Sequence, residues 1–220
     1  VIAARLTAAQ LGILESLPRV AAVGPNLPAS ADLSQSVPLV GGDRAHRVGL
    51  TGNGVVVAVL DSGIDRDDPD FAGALVGEHC FCQGATLGDG VGCCPNGLEE
   101  QDGAGSAEDG YGHGSHVTGI ILSRGNSDLS AVGMAPAAQV AAVRSFAADG
   151  TGSILDFSKA LDWILANRTD VRALNMSLSD GTNYADYCDS ANATNMAMGA
   201  TITALRNLNG ATTFASSSRA

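Results

Sequence analysis

Apolar positions in this chain fall into short unbroken runs separated by glycine-rich polar stretches. Val55–Leu60 has no polar interruption, the pattern of a strand covered on both faces. Gln139–Phe146, Val171–Leu178 and Ala211–Ala215 read as further strands. Between them, Gly114–Ser123, Ser153–Asn167 and Ser190–Leu208 read as helices; in the second, Ile154, Phe157, Leu161 and Ile164 share one side. Residues 67–110 read as loop, rich in Gly, Asp and Cys. Strand–helix alternation of this kind predicts an α/β fold, a mostly parallel doubly wound sheet with helices on both faces. Ligands in such folds bind at the carboxyl ends of the strands, where Asp61 and Ser177 fall.

The first 35 residues differ. Thr7 caps an expected helix with Leu11 and Leu14 on one face, a turn follows at Leu17-Pro18-Arg19, and Val20–Val23 forms a short apolar strand. Pro25, Pro28 and the polar run Ser30–Ser36 make a linker, so a boundary is expected near residue 35. No secretion signal is visible, and a start at Val1 points to a processed or partial sequence.

With 220 residues the chain can bury one good core. Its net charge of −11, with only 12 basic residues, excludes a phosphate-binding surface, and no apolar run reaches membrane-spanning length. No nucleic-acid or membrane partner is therefore expected. Cys80, Cys82, Cys93 and Cys94 crowd one glycine-rich loop, and Cys188 is the odd one out. Disulfides, and with them an oxidising, extracellular compartment, are expected over a zinc knot, whose ligand spacing is absent. Four cysteines leave three pairings open.

Candidate chemistry concentrates in Asp61-Ser62-Gly63-Ile64-Asp65 and Tyr111-Gly112-His113-Gly114-Ser115-His116. The first sets a carboxylate at a strand end, and the second an imidazole at the glycine-rich start of a helix. An Asp that orients a His, which in turn activates a nucleophile, is two thirds of a hydrolytic triad. A metal-dependent hydrolase using His113 and His116 is a rival, but the Glu and third ligand of such sites are missing.

These motifs resemble those of the subtilisin-like serine peptidases, whose chain order is Asp, His, Ser. Val132-Gly133-Met134-Ala135-Pro136, Asp149-Gly150-Thr151-Gly152-Ser153 and Asn175-Met176-Ser177-Leu178 follow in the order of that family, so the resemblance covers residues 52–217. It implies a three-layer subtilisin-type fold, incomplete at the C-terminus, in residues 36–220. Residues 1–35 resemble the tail of an inhibitory propeptide, which would make the chain its own inhibitor. Asp61 would orient His113 as general base, and Gly150, Thr151 and Gly152 would pair with the backbone of a protein or peptide substrate. Asn175, Ser177 and Leu178 would flank it on the other side. No cofactor is implied for the chemistry. Asp70 matches a position that supplies a structural calcium ligand in several members.

The resemblance breaks near the end. No Gly-Thr-Ser-Met-Ala-like segment carries a nucleophile within residues 1–220; Ser218 and Arg219 stand where Gly and an oxyanion-binding Asn are usual, and Ser179 replaces a Gly. A fragment whose serine lies beyond residue 220 is the expectation, with no triad-based hydrolysis by this chain alone. The alternative is a catalytically dead relative that keeps the peptide cleft.

Overall fold

The computed structural model describes residues 7–20, 33–83, 90–127, 130–179 and 192–215. The chain divides into two units, Val1–Asp32 and Leu33–Ala220. In the first, helix α1 (Ala8–Glu15) starts at a capping box: Thr7 accepts from the Gln10 backbone while Gln10 Oε1 accepts from Thr7 N at 2.9 Å. The expected strand Val20–Val23 lies largely outside the described residues, as do Cys188 and Ser216 to Arg219.

In the second unit the end of the expected linker runs into helix α2 (Leu33–Leu39), and α3 (Gly42–Arg47) follows it. Val37, the first residue after that polar run, is buried against Gly42, where an added Cβ would lie 2.7 Å from its Cγ1.

A six-stranded sheet follows, in the order β3-β2-β4-β1-β5-β6. The strands are β1 (Val56–Asp61), β2 (Leu75–Phe81), β3 (Glu100–Asp102), β4 (Gln139–Arg144), β5 (Val171–Met176) and β6 (Thr212–Ala215). All neighbouring pairs are parallel except β2 with β3. Helix α4 (His113–Leu122) covers one face, and α5 (Ile154–Asn167) and α6 (Ala193–Ala204) pack on the other. The expected three-layer α/β architecture is therefore present.

Alternate residues of β1 divide between the two cores. Ala58 and Leu60 pack with Phe157, Leu161 and Ile164 of α5, whereas Val57 and Val59 pack with Val117 and Leu122 of α4. Full burial of each large aliphatic side chain contributes about 1.5–3 kcal/mol, which fixes the strand's rotation and the placement of its end.

Strands β2 and β3 overturn the reading of residues 67–110 as loop. Strand β2 carries buried Glu78 and His79, so no apolar run announces it. Both polar groups are satisfied by residues far along the chain. Glu78 Oε1 accepts from Gly105 N at 2.9 Å, while His79 lies between Asp102 and Glu100 and stacks on Trp163 at 4.4 Å.

The cysteine pairing is Cys80–Cys94 and Cys82–Cys93. With all four sulfurs bonded to one another, none is left for a zinc knot.

Candidate active site

Asp61 ends β1 and is 1% exposed. His113 opens α4 after the left-handed Gly112, and its ring is 46% exposed. The Asp61 Oδ1 atom accepts from His113 Nδ1 at 2.7 Å and from Ser62 N at 2.7 Å. A carboxylate can only accept, so the imidazole proton sits on Nδ1 and Nε2 is left as the basic nitrogen. Burial pushes the Asp61 carboxyl above its ordinary range, against the bonds from His113 and Ser62 that favour its charge.

The couple borders a cleft of about 200 Å³. Asp61, Ser62, Tyr111 and His113 line it together with Phe146, Gly150, Ser177, Leu178 and Ser179. Three of the residues expected to hold substrate, Gly150, Ser177 and Leu178, therefore meet the Asp–His couple. Thr151, Gly152 and Asn175 are not part of that lining. Gly152 bridges antiparallel to Phe146, Thr151 closes a turn onto Asp149, and Asn175 Nδ2 donates to Ser177 Oγ at 3.0 Å.

The Tyr111 ring packs on Gly150, where a Cβ would lie 2.6 Å from the phenol carbon Cζ and φ is +81°. Only glycine fits both the ring and that backbone conformation. Tyr111 and Phe146 carry no signal in the sequence beyond adjacency to the motifs.

Asp109 was equally silent. Its carboxylate accepts from Ser62 Oγ and from the backbone of Tyr111, Gly112 and Ser115. Burial would raise its carboxyl, but the bonds from the Ser115 hydroxyl and the backbone of Gly112, Ser115 and Tyr111 hold it below the ordinary range.

Asp70 lies away from this cleft. Its Oδ1 accepts from Asn126 N at 2.6 Å and Ser127 N at 3.1 Å, and its Oδ2 from Ser123 Oγ at 3.1 Å. A calcium ion needs oxygen ligands and would compete with these donors for the carboxylate. Among the described residues, no group of three or more His, Cys, Asp or Glu side chains is placed to hold a metal. His116 is exposed on α4 and joins no such group.

Residues 52–215 match the model of the subtilase family. The chain is 36% identical over 149 residues to Subtilisin BL of Lederbergia lenta, a match covering 66% of this chain and 46% of that protein. It is 32% identical over 182 residues to the Thermostable alkaline protease of Halalkalibacterium halodurans, covering 81% of this chain and 43% of the relative. Subtilisin E of Bacillus subtilis is 31% identical over 155 residues, covering 69% and 35%. The chain thus spans less than half the length of these relatives.

Proposed function

Because the chain belongs to the subtilase family, we propose that it carries Asp61 and His113 of an Asp-His-Ser triad in a serine endopeptidase, with the serine supplied beyond residue 220. The observation that carries this reading is the 2.7 Å bond from His113 Nδ1 to the buried Asp61 at the edge of a cleft. With Nδ1–H held by Asp61, His113 Nε2 takes the serine proton as the oxygen attacks the peptide carbonyl. It then returns that proton to the leaving amine, while Asp61 stabilises the transient imidazolium. This chemistry needs no cofactor.

The substrate is a protein or peptide in extended form, its backbone lying between residues 150–152 and 175–178. The first 35 residues act as the tail of an inhibitory propeptide, a reading that rests on their sequence pattern. Secretion is supported by the two disulfides and by a relative named Minor extracellular protease Epr, of Bacillus subtilis. Among the described residues, no helix is long and apolar enough to cross a membrane.

Expression of the serine-containing protein tests the reading. It should cleave casein and react covalently with a fluorophosphonate, and His113→Ala should abolish the cleavage. Residues 1–220 alone should do neither. A folded complete protein lacking both activities would instead indicate a peptide-binding module.

A further inference from the structure

The bond between Asp61 and His113 joins elements 52 residues apart in sequence, and the chain on the histidine side is poorly suited to hold still. Gly110, Gly112 and Gly114 flank His113, and glycine loses more conformational freedom on ordering than any other residue. Helix α4 begins at Gly112 with φ of +94° and receives no hydrogen bond from a side chain of its own cap residue. Something else must fix where this helix starts.

We propose that Asp109 is the positioning residue that sets the Asp61–His113 geometry. Its Oδ1 accepts from Ser62 Oγ at 2.9 Å, from Tyr111 N at 3.0 Å and from Gly112 N at 2.8 Å. Its Oδ2 accepts from Ser115 N at 2.9 Å and from the Ser115 hydroxyl. An ionised carboxylate has about four lone-pair sites, so this one is saturated.

The donors come from both halves of the couple. Ser62 follows Asp61, and its Oγ in turn accepts from Gly114 N at 2.8 Å. Ser115 lies two residues beyond His113, and its Oγ accepts from Asp65 N at 2.8 Å. One carboxylate therefore ties the end of β1 to the first turn of α4 on both flanks of the imidazole. A negative charge at this helix start is also favoured by the axial dipole.

An amide cannot replace it. Asp109→Asn keeps the volume but turns an NH2 toward either the Ser115 N–H or the Tyr111 and Gly112 N–H groups. Donor then meets donor, and the helix start must shift. A misplacement of about 1 Å at a reacting group costs on the order of 10²-fold in rate.

The role rests on the proposed triad, and two measurements keep them separable. In residues 1–220, the His113 Nδ1–H proton, held by Asp61, should give a resonance downfield of the amides in 15N-histidine-labelled protein. Asp109→Asn should abolish it. In the serine-containing protease, the same variant should lower kcat on a peptide amide by roughly 10²-fold with KM unchanged, rates being taken per titrated active site. Ser115→Ala should lower kcat less, and Ser115→Thr, which keeps the hydroxyl, should restore it. A folded Asp109→Asn protein with the resonance and kcat of the parent overturns the proposal. Should Asp109→Asn not fold, the serine pair decides: equal kcat for Ser115→Ala and Ser115→Thr overturns it equally. A parent that hydrolyses no peptide defeats the peptidase reading, while the resonance still decides the role of Asp109.

Discussion

Gly114 lies so close to Gly63 that a Cβ at position 114 would stand 2.2 Å from the Gly63 carbonyl oxygen and 3.2 Å from Asp61 Cβ. The first turn of α4 is thereby pressed onto the chain leaving β1, which is what lets a histidine and an aspartate on separate elements share a 2.7 Å bond. Gly114→Ala must push the two segments apart, because the obstructing atom is backbone. A lower midpoint in thermal melting is expected, together with loss of the downfield His113 resonance. An unchanged melt with the resonance intact would mean that the segments yield without cost.

Asp61→Asn separates activity from stability. An amide at this position can donate to His113 Nδ1 and so leave the proton on Nε2, the wrong nitrogen for a base; kcat in the serine-containing protease should fall by about 10⁴-fold. Stability moves the other way. The Asp61 carboxyl is raised by burial, so folding favours its protonated form, and that advantage is lost as pH rises out of the ordinary carboxylate range through the raised value. The asparagine variant has no such loss. Urea titrations from pH 4 upward should show the variant gaining on the parent as pH rises.

The parts of the fold legible in sequence are those where apolar order alone decides structure. Strand β1 reads as an unbroken hydrophobic run, and α5 as an apolar stripe behind its Ser153 cap. Strand β2 was illegible because Glu78 and His79 are buried only by virtue of Gly105, Asp102 and Trp163, partners that a local pattern does not contain. The Asp–His couple was legible as motifs. Asp109 was not, since backbone N–H groups supply three of its five bonds and any residue type can offer those.

Asp70 is expected to hold its loop without a metal. Its carboxylate gathers the backbone of Asn126 and Ser127 and the hydroxyl of Ser123, and it is 4% exposed. Asp70→Ala strands these donors and should cost about 1–3 kcal/mol, whereas a chelator should leave the parent's melt unchanged. Burial would raise this carboxyl, but hydrogen bonds from Ser130, Asn126, Ser127 and Ser123 hold it below its ordinary range. Its contribution is therefore present above the ordinary carboxylate range and lost as pH falls through the lowered value. Acid titrations of stability should be less steep in the variant. A melt that drops sharply with chelator would place a cation at this loop.

The disulfide loop should be felt at the cleft through Arg144. This buried guanidinium donates from Nη2 to the Cys93 carbonyl at 3.0 Å, from Nη1 to Glu108 at 2.6 Å, and from Nε to Phe146 at 3.0 Å. It thus joins the cysteine loop, the segment preceding His113 and a wall of the cleft. Replacing all four cysteines by serine opens a loop of sequence separation 14 and should destabilise the fold by about 2–4 kcal/mol, mainly by freeing the unfolded chain. Arg144→Met strands three carbonyls instead, so its effect should appear locally, as faster amide exchange in residues 108–115 and 146–152. Exchange confined to residues 90–97 in the arginine variant would show that the cysteine loop and the cleft are independent.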